Sequence, residues 1–223
     1  MSILKKARYF FTIICMGSSL MAGAQAPPFY NDIQAFKQQD SVQMPPQKSI
    51  LLIGSSSFTL WKDVQQYFPA YKIINRGFGG STLPDVTRYA NDIILPYKPR
   101  QIIIYCGEND LAASDTVSAA TVLNRFTQLF FLIRQWYPKV PVAFISLKPS
   151  PSRKHLWPKM QAVNQAVQDF LATQKRTDFI DVYHAMLHQD GTIMQDIFIN
   201  DQLHMNAKGY AIWQKLMLPI LKK

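Results

Sequence analysis

Ser49-Ile50-Leu51-Leu52-Ile53-Gly54-Ser55-Ser56-Ser57 is the stretch whose reading decides the fold. Four large apolar residues in a row, closed by glycine, read as a strand buried on both faces, because a strand with one wet face would alternate. The segment after it, from Phe58 to Phe68, spaces its apolar residues at roughly helical intervals and predicts a helix over 58–68. Strand, tight turn and helix place the hydroxyls of 55–57 at the carboxyl end of a parallel strand, where open α/β sheets bind their ligands.

The same grammar recurs along the chain. A short strand at 71–74 opens into the glycine-rich turn Asn75-Arg76-Gly77-Phe78-Gly79-Gly80-Ser81-Thr82, and Pro84 suits the first turn of a helix reaching about Leu95. A mostly β-branched run at 101–106 makes a third strand that stops at Gly107-Glu108-Asn109-Asp110. A helix is predicted over 116–136, a fourth strand over 140–147, a helix over 158–173, a fifth strand over 179–182 and a closing helix over 206–221. This alternation predicts an α/β protein: a parallel sheet of about five strands covered on both faces, with right-handed crossovers. Polar clusters fall after strands one, two and three and just before the last helix, and one rim of such a sheet gathers all four.

At 223 residues the chain suits one sizeable domain, read here as 49–223, preceded by a polar lead-in at 25–48 with a short helix at 30–39. Residues 1–24 have the order of a secretory signal: basic Lys5, Lys6 and Arg8, an apolar run at 9–16, and small residues at Ala22 and Ala24. Cleavage after Ala24 is favoured over Ala26, which Pro27 follows directly. The expectation is an exported protein, periplasmic or extracellular, with no stable membrane insertion once the signal is removed. Its loss lowers the formal net charge by three, from +10 to +7. The remaining Lys and Arg residues are scattered, which points to a solvated basic surface rather than a nucleic-acid partner. Cys15 leaves with the signal, so Cys106 stands alone in the mature chain as a small buried filler and no internal disulfide forms.

A serine nucleophile needs a base, usually a histidine held by a carboxylate. Of the four histidines, His155 and His188 have no acid three or four residues before them, while His184 follows Asp181 by three and His204 follows Asp201 by three. Asp181 falls inside the predicted fifth strand. Asp201 and His204 share a turn before a helix, where the carboxylate accepts from Nδ1–H and leaves Nε2 free to face a serine. An attacked carbonyl also needs donors fixed where its negative charge develops. Gly77, Gly79 and Gly80 let backbone N–H groups approach a substrate, the Asn109 side chain ends the central strand, and the Ser56 N–H lies near a helix start.

Taken together, these blocks resemble the SGNH, or GDSL-type, hydrolase family. Its Gly-Asp-Ser block matches Gly54-Ser55-Ser56, its glycine block matches Gly80, its Gly-x-Asn-Asp block matches Gly107-Glu108-Asn109-Asp110, and its Asp-x-x-His block matches Asp201-Gln202-Leu203-His204. The resemblance implies a three-layer α/β/α, flavodoxin-like fold with a five-stranded parallel sheet. It also implies Ser56 as nucleophile, His204 and Asp201 as its partners, and an oxyanion hole of the Ser56 N–H, Gly80 and Asn109. Ser55 departs from the family's aspartate, and in a run of three serines Ser55 and Ser57 remain alternatives to Ser56.

The implied function is an exported esterase acting on small acyl groups, acetyl among them, carried by carbohydrate or lipid, with no cofactor and no metal. His184 and His188 are four apart but lack a glutamate between them and a third donor. Phe58 and Trp61 near the nucleophile, and Lys148, Ser150 and Arg153 after strand four, are the expected substrate contacts. The alternative is a binding module that keeps the fold without the chemistry, in which the serines cap a helix and the glycines merely turn.

Overall fold

The computed structural model describes residues 26–223, so the signal segment lies outside the described residues. Five parallel strands form one sheet: β1 (Ile50–Gly54), β2 (Ile73–Gly77), β3 (Gln101–Tyr105), β4 (Val142–Ile145) and β5 (Thr177–Ile180). Their order is β2-β1-β3-β4-β5, with Gly54 of β1 level with Gly77 of β2 and Tyr105 of β3. This is the flavodoxin-like order expected of a doubly wound sheet, and it places the end of β1 near the centre, beside the switch point.

Alternate residues of the strands feed two cores. Leu51, Ile53, Ile102, Ile104, Val142 and Phe144 face one layer of helices, and Ile50, Leu52, Ile103, Tyr105, Ala143 and Ile145 face the other. The first layer consists of α1 (Tyr30–Val42), α4 (Leu83–Arg88), α5 (Ala90–Ile93), α7 (Ala119–Trp136) and α8 (Trp157–Ala172). The second is built from α2 (Ser56–Thr59), α3 (Val64–Tyr67), α9 (Val182–Ala185) and α10 (Ala207–Met217), with α6 (Glu108–Ala113) at the rim. Each fully buried Leu, Ile, Val or Phe in these layers stabilises the fold by about 1.5–3 kcal/mol. The expected three-layer α/β/α architecture is therefore the observed one.

Three departures from the sequence reading have physical causes. The helix expected over 58–68 is split into α2 and α3. Asn75 Nδ2 donates to the Phe58 carbonyl at 2.6 Å, and the Trp61 N–H takes the same oxygen at 3.0 Å, so Lys62 N turns to Leu60 O and the helical ladder stops. The Gly-Glu-Asn-Asp block, for which no helix was expected, starts one: Gly107 precedes α6 and Glu108, Asn109 and Asp110 form its first turn. The lead-in helix is longer than expected, and it packs against the domain through Ile33, buried in the first core, and Asp40, which is ion-paired with Arg76 and accepts from the Tyr97 hydroxyl at 2.5 Å.

Candidate active site

Gly54 sets the first element of the site. Its φ is +136°, and a Cβ there would lie 1.9 Å from the Tyr105 carbonyl oxygen, so only glycine lets β1 end this close to β3. Ser55 N then donates to Tyr105 O at 3.0 Å, and the chain turns immediately into α2. The Ser55 side chain (3 % exposed) and Ser57 (1 %) point into the interior, and Tyr210 OH clamps the turn by donating to Ser57 O at 2.8 Å. Ser56 is partly exposed and bonds His204 Nε2 through Oγ at 2.8 Å. Of the three adjacent hydroxyls, the fold presents this one to a histidine.

His204 reaches Ser56 from 148 residues away because its loop is closed on itself. Ile199 N donates to His204 O at 2.9 Å, Phe198 and Met205 form an antiparallel bridge, and Asn206 caps α10 while donating to the Asp196 and Phe198 carbonyls. Asp201 Oδ1 accepts from the N–H groups of Leu203 and His204, both at 2.9 Å, and Oδ2 lies 2.5 Å from His204 Nδ1. Desolvation works to raise the Asp201 carboxyl, but these hydrogen bonds and the imidazole beside it outweigh that and hold it down at about 2. An ionised carboxylate only accepts, so Nδ1 carries the proton and Nε2 is left to accept from the Ser56 hydroxyl. Serine, imidazole and carboxylate thus form one chain of hydrogen bonds through which the serine can be deprotonated.

The glycine and asparagine blocks meet beside this chain. Ser81, next to Gly80, donates its hydroxyl to Gly54 O at 3.2 Å, and Asn109 Nδ2 donates to Ser81 O at 3.0 Å. Gly80 has φ +83°, and a Cβ there would meet only Phe29 Cε1 at 3.8 Å, an ordinary contact, so its glycine is required by backbone conformation, not by crowding. Asp110 fastens the same loop from below, accepting from Leu83 N at 3.0 Å and from Arg125 at 2.8 Å. The three expected oxyanion donors therefore sit on segments bonded directly to one another.

The expected substrate contacts need correction. Phe58 and Trp61 are 0 % exposed and belong to the second core, where Trp61 stacks on Tyr210 with ring centroids 4.7 Å apart. Lys148 is 1 % exposed and bonds Glu108 at 2.9 Å, and Ser150 is fully buried. An apolar ring or a long cation after a strand reads alike whether it faces core or cleft. Arg153 reaches the rim but is engaged with Glu108 and Asn109. Glu108 and Tyr105, which sequence reasoning left without a role, hold these two cations. The signal was an acid directly after an apolar strand, where burial demands a partner. The ground for setting Asp181 aside also fails: β5 ends at Ile180, Asp181 caps α9, and its Oδ2 lies 2.6 Å from His184 Nδ1. Among the described residues no three His, Cys, Asp or Glu side chains come together as a metal ion would require.

A profile of the GDSL-like Lipase/Acylhydrolase family matches residues 15–212. The chain belongs to that family. Among curated proteins it is similar to an isoamyl acetate-hydrolyzing esterase of Saccharomyces cerevisiae, at 21 % identity over 71 % of this chain and 72 % of the yeast protein. Among solved structures, a GDSL-like lipase from Bacteroides thetaiotaomicron superposes with a TM-score of 0.71 at 18 % identity, covering 84 % of this chain and 95 % of the other. A carbohydrate esterase family 3 structure from Talaromyces cellulolyticus gives 0.62 at 16 %, covering 76 % and 94 %. At these identities the structural likenesses establish the shared fold. Within a GDSL-like acylhydrolase, the Gly-x-Ser order of the first block is retained as Gly54-Ser55-Ser56, with serine at the usual aspartate position.

Proposed function

We propose that this GDSL-like acylhydrolase is an exported serine esterase that removes small acyl groups from carbohydrate or lipid through an acyl-enzyme on Ser56. The observation that carries the reading is the 2.8 Å bond from Ser56 Oγ to His204 Nε2, with the opposite ring nitrogen held by Asp201. A binding module has no use for a partly exposed serine aligned in this way.

In the first half-reaction, Ser56 Oγ attacks the ester carbonyl as its proton passes to His204 Nε2, and negative charge collects on the former carbonyl oxygen. The N–H groups of Ser56 and Gly80 and the Asn109 amide stabilise that oxygen. The C–O bond to the alcohol breaks as His204 returns the proton to the leaving oxygen. Water then attacks the acyl-Ser56 carbonyl, giving its proton to His204; Ser56 leaves and takes that proton back, and the carboxylic acid departs. Asp201 holds the imidazole in the required tautomer and stabilises its transient charge.

The small-acyl preference is supported by the likeness to the yeast isoamyl acetate-hydrolyzing esterase. Export is supported by the basic, apolar and small-residue order of residues 1–24, while no helix among the described residues is long and apolar enough to cross a membrane. A panel of p-nitrophenyl esters from acetate to palmitate, run beside acetylated sugars, tests the substrate class. Highest kcat/KM at two to four carbons is expected; a maximum at long chains would contradict it.

A further inference from the structure

Asn109 has an orientation dictated by both of its neighbours. Nδ2 donates to Ser81 O at 3.0 Å, and Oδ1 accepts from Arg153 Nη2 at 2.9 Å. A guanidinium only donates and a carbonyl only accepts, so an amide turned by half a rotation would lose both bonds and set like against like. The second Nδ2 hydrogen is left for another acceptor.

Arg153 is itself held. Its Nη1 lies 3.2 Å from Glu108 Oε1, and Glu108 Oε2 accepts from Lys148 Nζ at 2.9 Å and from Tyr105 OH at 2.5 Å. Glu108, Lys148 and Tyr105 are buried, and the Arg153 side chain is 18 % exposed. Desolvation alone would raise the Glu108 carboxyl, but Lys148 and Arg153 hold it below its ordinary value, so it is ionised at neutral pH. Two cations against one carboxylate leave one positive charge in excess beside Asn109.

We infer that Arg153, anchored by Glu108, is a positioning residue that locks the Asn109 amide and polarises it as a hydrogen-bond donor. A cation on the carbonyl end of an amide draws electron density from its nitrogen, and linked hydrogen bonds strengthen one another in a low-dielectric site. Arg153 thereby acts on the developing oxyanion through Asn109 and not on the substrate directly. The inference rests on the oxyanion role proposed above for Asn109.

The test is a double-mutant cycle on the purified protein, with kcat and KM for p-nitrophenyl acetate and thermal unfolding measured for each variant. Arg153→Met is expected to lower kcat by roughly 10- to 100-fold with KM changed less than about 3-fold, the pattern of a lost transition-state interaction. In Asn109→Ala the same Arg153 change should alter kcat by no more than about 2-fold, because nothing remains to be positioned. Arg153→Lys, which keeps a cationic donor, should recover at least about 5-fold of the lost kcat. If Arg153→Met does not fold, Arg153→Gln enters the same cycle. Losses that multiply in the double variant, or an Arg153 effect confined to KM, overturn the inference while leaving the esterase intact. Full activity in Ser56→Ala would overturn both.

Discussion

Two Asp-x-x-His turns occur in this molecule, and local geometry scarcely separates them. In each, the aspartate Oδ1 accepts the histidine backbone N–H and Oδ2 meets Nδ1, at 2.5 Å for Asp201–His204 and 2.6 Å for Asp181–His184. What separates them is the surroundings. The His204 side chain is 18 % exposed and faces Ser56, whereas the His184 side chain is 75 % exposed over a cavity of about 200 Å³ lined by glutamines, Asn164, Phe179 and Tyr183, with no serine. A three-residue spacing builds the dyad by itself; tertiary topology decides whether a nucleophile meets it.

The comparison breaks first at the imidazoles. Ser56→Ala or His204→Ala should reduce p-nitrophenyl acetate kcat by about 10⁴-fold or more, while His184→Ala stays within about 2-fold of wild type. Equal losses at the two histidines, read from steady-state rates, would show that the dyads share the work, and a loss confined to His184→Ala that they had been assigned the wrong way round. The carboxylates give the next effect. Asp201→Asn should lose about 10²- to 10⁴-fold in kcat by freeing the wrong tautomer, with Asp181→Asn again near wild type. Asp181 has a different duty, as the cap of α9. Asp181→Ala is therefore expected to lower unfolding free energy by about 0.5–2 kcal/mol in urea titrations without changing kcat, and Asp181→Asn, itself a good cap, to change stability by only a few tenths.

The smallest expected effect concerns pH. The Asp201 carboxyl is held down at about 2 against an ordinary 3.8, so its contribution to stability is present above 3.8 and is lost only as pH falls through about 2. Because it stays ionised above about pH 3, Asp201 should add no ionisation of its own to the kcat/KM profile above that pH. An acid limb steeper than a single ionisation above that pH would contradict this. The Asp201 side chain is 43 % exposed, and solvent screening keeps the stability change itself small.

Much of this was legible in the chain because burial in a parallel sheet leaves a continuous apolar signature. Ile50 to Ile53 and Ile102 to Ile104 could hardly be anything but central strands, and the polar blocks at their ends had to share a rim. The reading failed where a residue's role depends on which way it faces. Trp61 and Lys148 each follow a sheet strand closely enough to line a cleft, yet one packs against Tyr210 and the other pairs with Glu108. Asp181 was misplaced by a strand boundary shifted only slightly, which turned a helix cap into a strand residue. The break between α2 and α3 depends on Asn75, a hydrogen-bond partner on β2 that no local pattern announces.

The central claim, that the fold selects Ser56 from three adjacent serines, is tested most directly by fluorophosphonate labelling and peptide mass spectrometry. A single adduct is expected on Ser56, lost in His204→Ala and unchanged in His184→Ala. An adduct on Ser55 or Ser57, or equal labelling with and without His204, would contradict the account.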